Sequence, residues 1–231
     1  MFLILASLTL GKVQAQYNFR RYSVGIGAGV TQPYSDMAFN KRAVGIELSC
    51  DFYLTPFLTA GLEGQFGRLT GGDRFNDPHL REFDNRYLAL TINGKAAFGE
   101  LLNYNRRGIQ NAFKGLYVGA GAGFIKNKMH FVTRVKGDGS NYTFPGADAG
   151  INLQVPFMAG ISFNIPDAWD ETRYILSVGY QMNVIFGEGM DGFNDPPSKF
   201  KNYYHDMYSF STISLKYCFG RKAPFYRSFR Y

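Results

Sequence analysis

What this chain lacks narrows its class before any motif is read. None of its 231 residues fall in a run of the eighteen or so consecutive apolar positions that a membrane-crossing helix needs. Amphipathic helical patterning is nearly absent too; short apolar stretches alternate with turn clusters throughout, which speaks against a helical domain. Two cysteines, Cys50 and Cys218, cannot build a disulfide-rich scaffold, and no zinc or haem spacing occurs. Histidine is scarce as well, at three residues. Acidic residues are outnumbered 18 to 25, giving a formal charge of +7. That excess is compatible with ordinary solubility or with a polyanionic partner.

The first residues bear on which polyanion. "MFLILASLTLGKVQAQ" carries an apolar core at 2–10 and then Val13-Gln14-Ala15, a small-residue cleavage pattern that would leave Gln16 as the mature start. No Lys or Arg precedes that core, a departure from the usual signal. No cysteine stands at the cleavage point, so a lipid anchor is not expected. We read 1–15 as a signal peptide and the product as exported. Acidic lipid or lipopolysaccharide is then a nearer polyanion than nucleic acid, and no nucleic-acid partner is expected.

What is present is alternation. "YSVGIGAGVT" at 22–31 sets Val24, Ile26, Ala28 and Val30 against Gly25, Gly27 and Gly29, and "LYVGAGAGF" at 116–124 repeats the design. A dinucleotide-binding turn needs a helix opening on its glycines and an acidic residue about 20 positions on. Here turn chemistry follows instead. The period of two describes strands with one apolar face and one face of little side-chain volume. Eight such segments emerge, at 21–31, 43–54, 58–69, 84–98, 115–127, 151–165, 173–186 and 206–219. Each is about as long as a tilted transmembrane strand of 9–11 residues, or longer. Their connections alternate between short (55–57, 166–172) and long (32–42, 70–83, 128–150, 187–205), with 99–114 a long member of the short set. In the first hairpin, Leu54 opposite Leu58 pairs Phe52 with Ala60, Cys50 with Leu62 and Ile46 with Phe66 on an apolar face. Glu47 with Gln65, Ser49 with Glu63 and Asp51 with Gly61 then fill the polar face, and a slip of one residue would invert both.

Aromatics make up 17% of the chain, more than a soluble core of this size calls for. Tyr22, Phe52, Phe98, Phe163, Tyr174 and Phe219 recur at the short-turn ends of the strands, as a membrane girdle would, with Phe66, Phe124 and Phe186 as candidates for a second. The last strand, "MYSFSTISLKYCF", ends on an aromatic with Ile213, Leu215 and Tyr217 on the same face. Taken with the glycine-alternating strands, the chain resembles the small OmpA/OmpX-like, porin-type outer-membrane β-barrels over nearly all of its mature length. The resemblance implies an all-β fold: an eight-stranded antiparallel up-and-down transmembrane β-barrel in the bacterial outer membrane. It also implies insertion by the barrel-assembly machinery, for which such a final strand is the signal. The family signal normally ends the chain, whereas "GRKAPFYRSFRY" follows here. The expected organisation is therefore a signal peptide (1–15), a barrel (16–219) and a basic-aromatic periplasmic tail (220–231).

An interior lined by Glu47, Asp51, Glu63, Gln65, Asn93, Lys95, Asn152, Gln154, Gln181, Asn183 and Lys216 is expected to be filled by its own side chains. Glu47, Asp51, Glu63, Lys95 and Lys216 would form a mutually compensating lumen network. The two cysteines are expected free and facing lipid. His79 near Asp77, His130, and His205 beside Asp206 lie in or near outer loops; solvated loop residues are the simpler reading than a general base, and no enzyme is expected. "GDGSN" at 137–141 and "GMDGFNDPP" at 189–197 lack the calcium-loop spacing, and neither metal nor cofactor is expected. Arg106, Arg107 and Lys114, with Arg221, Lys222, Arg227 and Arg230, would face the periplasm, either as headgroup contacts or as a docking surface for a protein partner. Four function classes stay open: loop display for surface contact or envelope integrity, a narrow solute channel, a component of an envelope secretion machine, and, least favoured, an enzyme.

Overall fold

The period-two alternation becomes a wall with one wet and one greasy side. The computed structural model describes residues 16–35, 37, 39–75, 77, 80–100, 114–135, 143–169, 171–187, 189–193 and 205–226. In chain order these form β1 (Gln16–Tyr34), β2 (Asn40–Lys41), β3 (Ala43–Tyr53), β4 (Leu58–Gly72), β5 (Glu82–Ala97), β6 (Leu116–Val132), β7 (Ala149–Pro166), β8 (Thr172–Phe186) and β9 (Met207–Tyr226). A 3-10 turn, Phe98–Glu100, follows β5. β2 is a two-residue extension paired with β4. The other eight strands run antiparallel to their sequence neighbours, and β1 closes on β9, so the sheet is an eight-stranded up-and-down barrel.

On β3, Gly45, Glu47, Ser49 and Asp51 are buried while Val44, Leu48 and Cys50 are exposed. Ile92 and Ile151 keep 70% and 67% of their surface outside. Such a continuous apolar exterior is insoluble in water and suits a hydrocarbon surround. The first hairpin has the expected register, with Ile46↔Phe66, Glu47↔Gln65, Asp51↔Gly61 and Phe52↔Ala60. Its tight connection is set locally: Thr55 Oγ1 accepts the Phe57 and Leu58 N–H groups at 3.2 and 3.0 Å.

Two expectations need correction. The last strand does not end at Phe219: β9 runs to Tyr226 and pairs with Gln16–Arg20, so β1 also starts earlier than Arg21. Gly and Pro in "GRKAP" read as the end of a strand, yet Gly220, at φ +88°, absorbs a bulge between Arg20 and Tyr22, and the ladder continues beyond it. The segment 220–226 is therefore strand rather than tail, and 1–15 and 227–231 lie outside the described residues. The second correction concerns the thiols. Both cysteines are free and Cys50 faces outward, but Cys218 is 3% exposed. It shares the inward parity of Ser214 and Lys216 on β9.

The inward glycines make room. A Cβ on Gly27 would stand 2.8 Å from both Glu47 Cγ and Ser214 Cβ, whereas a Cβ on the outward Gly64 would meet nothing within 4 Å. Gly27→Ala is expected to lower unfolding free energy by about 1–3 kcal/mol through overpacking. Gly64→Ala is expected to stay within about 0.5 kcal/mol. Urea titration of the refolded barrel, read by heat-modifiable gel mobility, checks the contrast; equal midpoints for the two variants would refute the space-filling account.

Candidate functional site

Three layers fill the lumen. In the middle one, the structure brings Glu47, Asp51, Glu63, Lys95 and Lys216 together. Lys216 Nζ donates to Asp51, both side chains being almost wholly buried. Lys95 Nζ lies 3.4 Å from Glu63 Oε2, and Gln65 Nε2 donates to Glu63 Oε1 at 2.9 Å. Asn93 Nδ2 adds a long contact to Glu63 Oε2 at 3.5 Å. Glu47 borders a void of about 20 Å³ together with Glu63, Lys95, Ser214 and Lys216. A void of that size holds one water molecule, enough to hydrate charges taken out of bulk solvent. Glycines admit this cluster into a narrow barrel. A Cβ on Gly25 would sit 2.7 Å from Lys216 Cγ, and one on Gly119 would sit 3.0 Å from Lys95 Cγ. The alternating glycines are thus the volume into which long charged side chains fold. The rest of the expected interior set also faces inward, with Gln154 and Asn183 fully buried.

Toward the long loops the lumen turns apolar, which the sequence reading missed. Tyr208 Oη donates to Gln65 Oε1 at 3.0 Å and marks the boundary, its ring 5.2 Å from that of Tyr87. Beyond it Leu69, Phe83, Ile125, Ile185 and Phe210 are all but inaccessible, and Met37, Phe144, Met190 and Phe193 close over them from the loops. The Arg81 guanidinium lies 5.4 and 5.3 Å from the Phe144 and Phe193 ring centroids. Loop backbone is tied to the wall: Asn85 Nδ2 donates to Met190 O at 2.8 Å, and Arg134 Nη2 to Gly192 O at 3.1 Å. The signal was present in parity: Tyr208 and Phe210 alternate in step with Ser214 and Lys216, so they point inward.

Toward the short turns the lumen opens into a vestibule of about 510 Å³, walled by Asp51, Tyr53, Lys95, Tyr117, Asn164 and Lys216 among others. Beside its mouth the β7–β8 turn binds the β1–β9 extension. Glu171 contacts Arg20 at 3.3 Å and Lys222 at 2.5 Å, and Asp167 lies 3.4 Å from Arg173. Desolvation opposes the Asp167 charge. The Trp169 and Glu171 N–H donors, with Arg173 and Arg20, outweigh it and hold this carboxyl below its ordinary range. Of the expected docking cations, then, Lys222 is engaged within the chain and Arg221 is exposed. Lys114 borders the vestibule, and Arg106, Arg107, Arg227 and Arg230 lie outside the described residues.

The expected girdle residues take outward or half-buried positions at this end. Tyr22 lies 5.3 Å from Phe52 and 6.0 Å from Phe219, centroid to centroid. Tyr217, expected on the outward face but not named in the girdle, carries the band on to Tyr174 at 5.6 Å. Phe98 and Phe163 are exposed, as are Phe66, Phe124 and Phe186 toward the loops. His79, the segment 137–141 and residues 194–197 lie outside the described residues. His130 is exposed on β6, His205 packs its ring 5.1 Å from Phe186, and the Asp206 carboxylate accepts the Met190 N–H at 3.3 Å. Among the described residues no group of three or more His, Cys, Asp or Glu is placed to hold a metal ion.

The family model described as "Outer membrane protein beta-barrel domain" matches residues 1–215. Among solved structures, the chain is similar to Neisserial surface protein A, at 10% identity and a TM-score of 0.49, over 86% of this chain and 97% of that one. It is similar to Ail, the attachment invasion locus protein of Yersinia pestis, at 14% identity and a TM-score of 0.43, over 87% and 99%. A third is the outer membrane protein OprG of Pseudomonas aeruginosa, at 10% and 0.39, over 88% and 98%. No curated protein matches the chain.

Removing Lys216 leaves the Asp51 carboxylate buried without its cation. Lys216→Met is expected to cost about 3–5 kcal/mol in urea unfolding, and Asp51→Asn combined with Lys216→Met to recover much of that loss. A double variant no more stable than Lys216→Met alone would show that the pair is not coupled.

Proposed function

Since the chain belongs to the outer membrane protein beta-barrel domain family and sits in the bacterial outer membrane, we propose that it is a non-conducting, non-catalytic scaffold displaying its outer loops for surface contact or envelope integrity. One observation carries this reading: the loop-side half of the lumen is closed by a packed, mainly apolar cluster continuous with the loops themselves. A solute path needs a connected hydrated lumen, and two successive barriers stand in the way here. The first is the paired charges around Asp51 and Lys216; the second is the packed side chains from Leu69 to Phe193. The plug instead ties loop positions to the wall, which favours a fixed display surface over a gate. The vestibule is floored by Asp51, Lys95 and Lys216 of the charged layer, and beyond them lies the packed loop-side cluster.

Planar-bilayer recording of the refolded protein is expected to give no steps above the lipid baseline. Stable unitary conductance would overturn the scaffold reading in favour of a channel. An epitope placed after Arg74 is expected to bind antibody on intact cells, and one after Trp169 only after the outer membrane is permeabilised. The reverse pattern would invert the assignment of loops and turns.

A further inference from the structure

The outward face of the barrel changes character abruptly toward the loops, and does so on only part of the circumference. On β4, exposed Phe66 is followed at the next outward position by Arg68; on β5, Leu88 by Arg86; on β6, Phe124 by Lys126 and Lys128. The registers align these cations. Arg68 opposes Arg86, and Arg86 opposes Lys128, so three positive side chains stand in one row across three strands. Lys126, opposite Leu88, lies one step lower, on the row of Phe66. The loop-side outward positions of β7, β8 and β1 hold Ala149, Ile151, Val184, Phe186, Val30 and Gln32, with no lysine or arginine among them.

Such a row opposes its own formation. Directly opposed like charges on one sheet face repel, their Cβ atoms being about 4.5–5.5 Å apart. Arg68 is compensated, since its guanidinium pairs with Asp84. Arg86, Lys126 and Lys128 are exposed and have no carboxylate partner among the described residues. Immediately below them lies an exposed apolar strip of Leu88, Leu90, Phe124, Ile151 and Leu153. The ligand that fits both features has acyl chains for the strip and phosphate at its head for the row. Arginine and lysine are the donors suited to phosphate, Arg by its fork and Lys as a point charge.

We propose that the β4–β6 wall is a binding site for a phosphorylated glycolipid of the outer leaflet, with Arg86, Lys126 and Lys128 on its phosphates and the strip below on its acyl chains. The inference rests on the outer-membrane reading and deepens it by naming one lipid class and one face. Among the described residues the loop-side cations extend to Lys41, paired with Glu82, and to Arg42 at the start of β3, but spare β7, β8 and β1, and the proposed site accounts for that asymmetry.

The test uses the refolded full barrel in phosphatidylcholine vesicles doped with bisphosphoryl lipid A, with dephosphorylated lipid A, or with phosphatidylglycerol. The thermal midpoint is read by heat-modifiable mobility. Lipid A is expected to raise the midpoint saturably, and its dephosphorylated form and phosphatidylglycerol to raise it much less. Arg86→Gln combined with Lys128→Gln is expected to abolish the lipid A increment, while Arg221→Gln at the opposite rim leaves it intact. An increment that survives the double variant, or that does not depend on the phosphates, overturns the site. A chain that never acquires heat-modifiable mobility in any vesicle would instead contradict the membrane reading itself, so the two failures are distinct. Because Arg86 and Lys128 are exposed, their replacement leaves the barrel interior untouched, and the midpoint in pure phosphatidylcholine serves as the folding control.

Discussion

Everything in this molecule depends on β1 finding β9. In hydrocarbon no water is present to satisfy a strand edge, so a spanning sheet must hydrogen-bond to itself all the way round. The first and last strands make that closure, along a ladder from Gln16–Tyr226 to Tyr34–Met207. Its one irregularity, between Arg20 and Tyr22, is taken up by Gly220 in a conformation that other residues adopt only under strain. The ladder runs past the aromatic band on the turn side, where Glu171 clamps Arg20 and Lys222 onto the β7–β8 turn. The seam that forms last in sequence order is thus also fastened electrostatically beyond the aromatic band, by a largely buried Glu171 that holds Arg20 and Lys222 where an unpaired edge would otherwise fray.

Closure creates an inside, and a barrel of eight strands leaves little of it. The interior divides along its axis. Glycines at alternate positions of β1 and β6 admit the long side chains of Lys95, Lys216 and Glu47 in the turn-side half. In the loop-side half large rings occupy the corresponding space, from Tyr87 and Tyr208 to Phe210. The turn-side half holds its charges largely in pairs, and the loop-side half is mainly apolar, its few buried polar groups such as Asn85 tied to Asn127 and to loop backbone. Gln65 and Gln154, both reached by the Tyr208 hydroxyl, join the two.

Alternation made most of this legible. With a period of two, one correct hairpin determines both faces, and the Ile46–Phe66 register follows from the polarity of Glu47, Ser49 and Asp51 alone. What stayed hidden has two physical sources. Gly220 and Pro224 are turn residues by local preference, and only pairing with β1 turns them into strand, a tertiary effect no window on the sequence registers. The plug was missed because aromatic residues in such a chain are most simply assigned to lipid. Phe83, Phe210 and Cys218 belong inside by parity, which outranks residue type when a wall has only two sides. Tyr217 was missed in the girdle for the complementary reason: it sits one outward step before Phe219, which already satisfied the pattern.

The two ends of the wall differ as the two leaflets of an outer membrane differ. On the turn side Arg20, Arg173 and Lys222 are matched by Glu171 and Asp167 from the same chain, while Arg21 and Arg221 stand exposed. On the loop side Arg86, Lys126 and Lys128 have no such match among the described residues and share one sector of the wall. The proposed glycolipid would relieve the repulsion within that row through its phosphates and cover the apolar strip below with its acyl chains. The lumen is filled by its own residues in the charged and loop-side layers, so the proposed ligand is sought on this outward sector rather than inside.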